Sequence, residues 1–267
     1  MRTLVNRNAN APKGNFAARM PRHLERGSST ALHFNVSYRL GKLSERDLLH
    51  GAWLDCGCAD GGYTVAMLEW GVERAVGVDV EVRRVLSAQG KELYLSRLAY
   101  GSAVSEALPF SDASFDGVLL NEVFEHVVGE ASTLREIRRV LRPGGHLALM
   151  SPNRWWPFEG HGMHWHKIRM PFPVPFLPWI PSKLAMKVMN ARNYWPGELR
   201  RMILEAGFAV LAMSSLLPVF EIRQWLPAPI IRWYRRAMPV LERTPVIRHF
   251  GVSTFVLAQR PNELVIA

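Results

Sequence analysis

The sequence predicts an α/β protein built around a mostly parallel sheet, and two observations lead to that fold class. Short apolar runs alternate with amphipathic segments of helical length between residues 51 and 153, and glycine or proline interrupts the pattern where elements end. This alternation is typical of βαβ units with right-handed crossovers. The 267 residues, 48% hydrophobic and 21% charged, are sufficient for one such domain with additional segments.

The elements can be assigned in order along the chain. Residues 1–30 are polar, basic and weakly periodic, which indicates a loose arm, and residues 31–50 predict a helix that leads into the core. The later predicted elements are a strand at 52–57, a helix at 64–71, a strand at 74–80, a helix at 81–98, a strand at 115–123, a helix at 132–141, a strand at 146–151, a helix at 196–208 and closing strands at 208–217 and 253–260. Seven prolines and seven Trp or Phe residues between 152 and 181 exclude a long helix or a central strand there.

The net charge of +10 is concentrated outside the predicted core. Residues 1–50 hold nine Lys or Arg against three Asp or Glu, and residues 222–248 hold six Arg against one Glu. Such basic segments suit phosphate-bearing partners, either an anionic membrane surface or nucleic acid. No uncharged apolar run reaches the roughly 18 residues of a membrane span, and the first residues lack the apolar stretch of a secretory signal. With only two cysteines and hence no disulfide framework, we expect a cytoplasmic protein.

The segment LDCGCADGG at 54–62 follows the first predicted strand, at the sheet edge where open α/β sheets bind ligands. Gly57 and Gly61 allow a tight turn and the close approach of a ligand, but their spacing is neither that of a dinucleotide fingerprint nor that of a triphosphate loop. Asp55 precedes the glycines and suits a cationic amino group rather than a phosphate. Asp79 ends the second strand, where an acid accepts hydrogen bonds from ribose hydroxyls. A ligand with a ribose and an ammonium group, but no phosphate, is S-adenosylmethionine.

Five segments, taken in order, resemble the class I S-adenosylmethionine-dependent methyltransferases, and specifically their type 11 group. They are LDCGCADGG, VGVDV at 76–80, SEALPFSDASFDGVLLNEVFEHV at 105–127, REIRRVLRPGGHLALMSPN at 135–153 and, more weakly, PGELRRMILEAGF at 196–208. The resemblance implies a Rossmann-like seven-stranded, mostly parallel sheet sandwiched by helices, with the proline- and aromatic-rich insertion after strand 5.

The resemblance also implies which residues surround the cofactor. They are Asp55, Gly57, Cys58, Gly61, Asp79, Val80, Ser102, Ala103 and Asn121. By this correspondence Asp55, Gly57 and Gly61 lie at the methionine end, Asp79 at the ribose, and Asn121 near the transfer site. The chain departs from the family pattern at Ser102, where an acid is frequent, and at Ala59, where a glycine is common.

Two histidine-containing segments are candidates for the chemistry of transfer. If NEVFEH at 121–126 begins a helix, Glu122, Glu125 and His126 share one face. This arrangement resembles one in the ubiquinone O-methyltransferases and the small-RNA 2′-O-methyltransferases, where it holds a divalent metal. The alternatives for His126 are a substrate contact or base, and a purely structural role, and a metal is not favoured.

The second segment is FEGHGMHWH at 158–166, which follows the fifth strand and is expected to fold over the active site. His161 is its candidate catalytic residue, and a fourth metal ligand or a solvated polar loop are the alternatives. The residues predicted to form a substrate lid are Trp155, His164, His166 and Tyr194.

Two further segments, MPFPVPFLPWIP at 170–181 and WLPAPIIRWYRRAMPVL at 225–241, combine aromatic and aliphatic residues. The second adds Arg232, Arg235 and Arg236, and basic amphipathic segments of this kind lie on anionic bilayers. The alternatives are a hydrophobic substrate lid or a homodimer interface. Nucleic acid is disfavoured because the chain has no recognisable RNA-binding module.

We therefore predict a methyltransferase that acts on a small-molecule or lipid-like acceptor, most readily at a hydroxyl oxygen. The alternatives are N- or C-methylation, including that of RNA, and a non-catalytic methyltransferase-like module. The predicted organisation is a basic arm and cap helix at 1–50, a cofactor-binding core at 51–153, a lid insertion at 154–193, and a C-terminal part with a basic amphipathic insertion at 194–267. A position at the inner face of the membrane would follow if the basic segments bind lipid.

Overall fold

The computed structural model describes residues 30–89, 96–159, 163–165, 168–170, 174–180, 184, 188–189, 191–219 and 227–262. The predicted basic arm before residue 30 lies outside these residues. No helix in the described ranges is long and apolar enough to cross a membrane.

The helices and strands alternate as the sequence predicts. The helices are α1 (Thr30–Ser44), α2 (Gly62–Glu69), α3 (Val82–Gln89), α4 (Glu130–Val140), α5 (Pro196–Glu205) and α6 (Ala228–Leu241). The strands are β1 (Ala52–Cys56), β2 (Arg74–Asp79), β3 (Leu98–Ser102), β4 (Phe115–Asn121), β5 (Leu141–Pro152), β6 (Phe158–Glu159), β7 (Met163–Trp165), β8 (Ile168–Met170), β9 (Val174–Pro175), β10 (Ala209–Leu216) and β11 (Ser253–Gln259).

Seven of these strands form one sheet in the order β10-β11-β5-β4-β1-β2-β3. The pairs from β5 to β3 are parallel, whereas β11 is antiparallel to both β5 and β10. The predicted Rossmann-like, seven-stranded and mostly parallel sheet is thus confirmed. Since β1, β2 and β4 are neighbours and run the same way, the residues that follow them meet at one edge of the sheet.

Helices cover both faces of the sheet, because each has one apolar side that must be buried. On one face α4 and α5 contribute Leu134, Ile137, Leu199 and Ile203 to a buried cluster. On the other face α1, α2 and α6 contribute Leu40, Met67 and Met238. Full burial of each such side chain stabilises the fold by about 1.5–3 kcal/mol.

Two local expectations are wrong. The composition of 81–98 predicts a helix, and α3 is described over Val82–Gln89, but residues 96–97 form a turn and Leu98 begins β3. This strand is short and lies at the edge of the sheet with its residues partly exposed, so its sequence LAYGS lacks the apolar run of a buried strand. The interval predicted between the helix at 132–141 and the strand at 146–151 belongs to β5, which begins at Leu141 and shifts its register against β4.

The proline- and aromatic-rich insertion after β5 contains only short elements in its described parts. The strand β6 pairs with β9, and β7 pairs with β8, both antiparallel. A single 3₁₀ turn follows at Leu177–Trp179. The domain boundaries given above stay a prediction.

Candidate active site

The loop after β1 is held by backbone hydrogen bonds to the neighbouring strand. The amides of Gly57 and Cys58 both donate to the carbonyl of Val78, at 2.7 and 2.9 Å. The amide of Gly61 then donates to the carbonyl of Cys58 at 2.8 Å, which closes the turn immediately before α2. The loop therefore has a fixed shape at the carboxyl edge of β1 and β2.

Gly57 and Gly61 are required at their positions for two reasons. Both have positive φ, +86° and +79°, a conformation that costs other residues roughly 1–2 kcal/mol. A Cβ on Gly57 would lie 2.2 Å from the side chain of Val123, and one on Gly61 would lie 2.2 Å from the hydroxyl of Tyr100. The loop is thus walled by one residue that follows β4 and one from β3.

Asp55 lies beneath this loop and is only 2% exposed. The hydroxyl of Thr64, in α2, donates to its Oδ2 at 2.6 Å. Burial raises the pKa of Asp55 to about 7, and the nearby carboxylates of Asp79 and Asp60 add to the effect. A cationic group that approached this carboxyl would reverse the shift and favour the ionised form.

Asp79, at the end of β2, presents both carboxylate oxygens to the same edge. Its Oδ2 accepts the amide of Ala59 at 2.9 Å, and its Oδ1 accepts the amide of Glu81 at 2.8 Å. Each carboxylate oxygen has two lone pairs, so each can still accept a hydrogen bond from a hydroxyl group.

The predicted adenine-side residues lie beside Asp79. Val80 is 69% exposed and Ser102 is exposed at the end of β3. The amide of Ala103 donates to the carbonyl of Asp79 at 3.2 Å. These residues line an open, partly apolar strip along the ends of β2 and β3.

The two predicted loop cysteines are buried and free. Burial raises the pKa of both thiols, that of Cys58 to about 12. Both thiols are therefore neutral at physiological pH and pack within the cradle, the name used below for Asp55, the loop 57–61 and Asp79.

Asn121 ends β4 and belongs to a charged network that the sequence did not predict. Arg39, from the middle of α1, donates through Nη1 to the Asn121 side-chain oxygen at 2.5 Å and to the Glu122 carboxylate at 2.7 Å. Ser253, at the start of β11, donates to the same Glu122 oxygen at 2.5 Å. The cap helix is thereby tied to the carboxyl edge of the sheet.

The residues 122–126 do not begin a helix, so the condition for a shared face of Glu122, Glu125 and His126 is not met. Glu122 has a φ of +55°, and the amide of His126 donates to the carbonyl of Val123 at 2.9 Å, so the segment is a turn. Glu125 is buried, and both burial and the adjacent Glu122 carboxylate raise its pKa well above the ordinary value. The His126 side chain is 44% exposed, with its Nε2 3.9 Å from Glu125 Oε1.

This turn bears on the metal alternative. Among the described residues, no group of three His, Cys, Asp or Glu side chains is arranged to hold a metal ion. The turn places the Nε2 of His126 3.9 Å from Glu125 Oε1, and it follows directly after Asn121, the residue predicted to lie near the transfer site.

The predicted lid residues separate in the structure. Trp155 is 42% exposed and contacts the ring of Trp195 with centroids 5.1 Å apart. Tyr194 is 3% exposed, and its hydroxyl donates to Glu130 at 2.9 Å, which places it in the core. His161 and His166 lie outside the described residues, as does the side chain of His164.

Comparison with known proteins decides the family. A family model described as a methyltransferase domain matches residues 54–149. An uncharacterised methyltransferase of Mycobacterium leprae is 37% identical over 228 residues, which cover 78% of this chain and 72% of the relative. The chain belongs to the class I S-adenosylmethionine-dependent methyltransferases. The resemblance drawn from the five motifs is thereby confirmed.

Two further comparisons describe how far the likeness of this methyltransferase extends. A putative S-adenosylmethionine-dependent methyltransferase from Listeria monocytogenes has the same fold, with a TM-score of 0.59 at 14% identity over 85% of this chain and 99% of that one. An O-methyltransferase of Aspergillus sclerotiorum is 34% identical over 99 residues, 36% of this chain. The chain spans about half the length or less of some curated relatives, 51% of one and 38% of this O-methyltransferase.

The residues of the methyltransferase fit S-adenosylmethionine. A buried carboxyl at Asp55 suits the amino group, the remaining lone pairs of Asp79 suit the two ribose hydroxyls, and the exposed Val80 suits the adenine ring. Two glycines with positive φ, at which a Cβ would collide with the walls, leave backbone at the centre of the cradle.

Four contributing residues were not among the predicted site residues. Thr64, Tyr100 and Val123 support or wall the cradle, and Arg39 reaches Asn121 from α1. Arg39 lies 82 residues before Asn121, outside all the motifs. Only the packing of α1 against the sheet brings the guanidinium to this edge.

Proposed function

We propose that the protein methylates a hydroxyl oxygen of a hydrophobic, lipid-like or small-molecule acceptor. S-adenosylmethionine, when bound, supplies the electrophilic methyl group. The observation that carries the proposal is the side chain of His126, partly exposed beside the end of β4 and backed by the buried Glu125 carboxyl. A hydroxyl acceptor must lose its proton, and a positioned imidazole is a suitable base.

The surrounding residues support this role for His126. Asn121, whose side-chain oxygen accepts a hydrogen bond from Arg39, ends β4 directly before the turn that carries the histidine. Its fixed oxygen and amide group can orient an acceptor hydroxyl, and such alignment contributes up to roughly 7–11 kcal/mol to lowering a barrier. A base in the right place adds about 10²–10⁴-fold.

The hydrophobic character of the acceptor is inferred from the surface near the end of β5. Trp155, Trp195 and Phe250 form one group of exposed rings, with centroids 5.1 and 6.1 Å from Trp155. A relative named as an O-methyltransferase is consistent with oxygen as the acceptor atom. N- or C-methylation of a similar acceptor is the alternative.

The test is methyl transfer from labelled S-adenosylmethionine to a matched acceptor panel. The panel pairs long-chain phenols and quinols with the corresponding anilines and with methyl ethers that have no free hydroxyl. We expect transfer to the hydroxyl compounds, a loss of S-adenosylhomocysteine affinity of about tenfold or more in Asp79→Ala, and a fall in kcat of about 10²-fold or more in His126→Gln.

The controls separate the cradle from the chemistry. His126→Gln is expected to keep the affinity for S-adenosylhomocysteine, measured by isothermal titration. Transfer to the anilines alone would overturn oxygen as the acceptor atom. If the folded protein binds no cofactor and transfers to no compound, the non-catalytic alternative is correct. Loss of activity on chelation, restored by a divalent metal, would assign a metal role that His126 as base does not require.

A further inference from the structure

The helix α6 has two different faces. Its inner face packs on α1 through Met238, which is buried, and through Arg235, whose guanidinium lies over the Phe34 ring at 4.4 Å. Its outer face carries Ile230, Trp233 and Val240, which are 47%, 68% and 68% exposed. Trp233 is as exposed as any large apolar side chain of this helix, although a buried site for it would be strongly favourable.

The exposure of this face is not the result of a loosely attached helix. Glu242, directly after α6, accepts hydrogen bonds from the Tyr38 hydroxyl and, at 2.6 Å, from Lys42, both on α1. The Tyr234 hydroxyl donates to the carbonyl of Pro218 at 2.9 Å. The inner face is therefore anchored by packing and by hydrogen bonds, and the outer face is presented in a fixed orientation.

Arginines flank the apolar stripe. Arg232, Arg236 and Arg243 are exposed along the outer face, and none of them forms an ion pair with a carboxylate in the described part of the chain. Residues 227–250 hold five Arg and a single Glu, and this Glu242 is already engaged with α1. We call the set of Ile230, Arg232, Trp233, Arg236, Val240 and Arg243 the outer face of α6.

Further exposed apolar side chains follow α6 along the chain and reach the edge of the sheet that holds the cradle. Val246 and Phe250, on the segment after α6, are exposed. The ring centroids of Phe250 and Trp155 are 6.1 Å apart. Trp155 comes three residues after the end of β5, and Phe250 three residues before β11. Since β11 is antiparallel to β5, both rings lie at the carboxyl edge of the parallel strands.

We propose that the outer face of α6, continued by residues 246–250 and Trp155, docks the protein on an anionic lipid bilayer. One part of this inference rests on the proposed function: if the acceptor is hydrophobic, the docked protein would take it from that bilayer. Tryptophan and isoleucine insert at the level of the headgroups, while the adjacent arginines remain in contact with lipid phosphates.

The charge of this face favours a bilayer over the other occupants. A second copy of the chain, related by twofold symmetry, would bring the arginines of two outer faces together, and the residues of this face include no carboxylate. A nucleic acid would satisfy the arginines, but the aliphatic Ile230 and Val240 would remain in water. A bilayer satisfies both groups of side chains at once.

The test is co-sedimentation of the full chain with two kinds of vesicles, phosphatidylcholine alone and an equal mixture with phosphatidylglycerol. We expect binding to the anionic vesicles that weakens as salt is added. The variants Ile230→Ser with Trp233→Ser, and Arg232→Gln with Arg236→Gln, should each weaken binding by about tenfold or more. The matched controls are Leu204→Ser and Arg135→Gln, two exposed positions on the opposite helical layer, which should change it by less than about twofold.

Parallel titration with S-adenosylhomocysteine separates this inference from the proposed function. A wild type that binds the cofactor and methylates acceptors, but does not bind anionic vesicles, overturns the docking inference and leaves the function intact. Undiminished vesicle binding in both α6 variants also overturns it, as does a dimer that Trp233→Ser dissociates without any vesicle binding. Vesicle binding that is lost in the α6 variants supports the docking surface even if methyl transfer is absent.

Discussion

At the scale of single residues, burial changes the pKa of Asp55 and so makes its ionisation depend on whether a cationic ligand is bound. It is only 2% exposed, and its pKa is raised to about 7 by burial and by neighbouring acids. The free protein thus holds this carboxyl partly protonated near neutral pH. An ammonium group binds best to the ionised form.

We therefore predict that affinity for S-adenosylhomocysteine increases with pH through about 7. The dissociation constant should be up to about tenfold larger at about pH 6 than at about pH 8, because only the ionised fraction of Asp55 attracts the amino group. Isothermal titration across this range measures the effect. In Asp55→Asn the affinity should be weaker and nearly independent of pH, and a pH dependence equal to that of the wild type would assign it to another group.

The scale of elements is where α1 acquires a role. The sequence identifies a helix before the core, but not that its Arg39 joins Asn121 and Glu122, at the end of β4, to Ser253 of β11. The Arg39 and Glu122 side chains are 9% and 27% exposed, so the pair is substantially removed from water. Removal of one partner leaves the other charge poorly solvated.

We predict that Arg39→Gln lowers the free energy of unfolding by about 2 kcal/mol, discounted from a fully buried pair because Glu122 is partly exposed. It should also increase amide hydrogen exchange in α1. Arg46→Gln, at an exposed position just after α1, is the matched control and should cost less than about 0.5 kcal/mol. Urea unfolding measures both, and equal losses in the two variants would contradict the proposed anchoring role.

The turn at 122–126 shows why the local prediction failed at the same place. The order Glu, Val, Phe, Glu, His is compatible with a helix, and nothing in the residues themselves requires a positive φ at Glu122. The tertiary contacts of its carboxylate with Arg39 and Ser253 stabilise that conformation in the fold.

At the scale of the whole molecule, the buried carboxyls of the site make the free energy of unfolding depend on pH. The pKa values of both Asp55 and Glu125 are raised in the folded state, so the folded protein binds more protons than the unfolded chain above the ordinary carboxyl range. Their contribution is fully present below those ordinary values and is lost as the pH rises through the folded values. The acids with lowered pKa, Glu106, Asp116 and Glu136, act in the opposite sense and only in the acidic range.

We predict that the free energy of unfolding falls by a few kcal/mol, on the order of 2, between about pH 5 and about pH 8. Urea unfolding at several pH values gives the slope directly. Asp55→Asn should reduce the slope, whereas Asp47→Asn, an exposed aspartate in the turn after α1, should leave it unchanged. A wild-type stability that increases over this range would show that the two carboxyls are ionised in the fold.

The sheet, the family and the predicted cradle could be derived from the order of residues along the chain. These depend on local order: apolar runs alternate with helices, and Asp55, Gly57, Gly61 and Asp79 sit at the ends of the first two strands, where the parallel arrangement brings them together. Which distant residues complete the site, and which apolar residues stay exposed, depends on how the elements pack. Arg39 reaches Asn121 across 82 positions, and Trp233 is exposed while Met238 on the same helix is buried. The physical reason is that local propensity fixes the type of each element, whereas long-range packing fixes its neighbours.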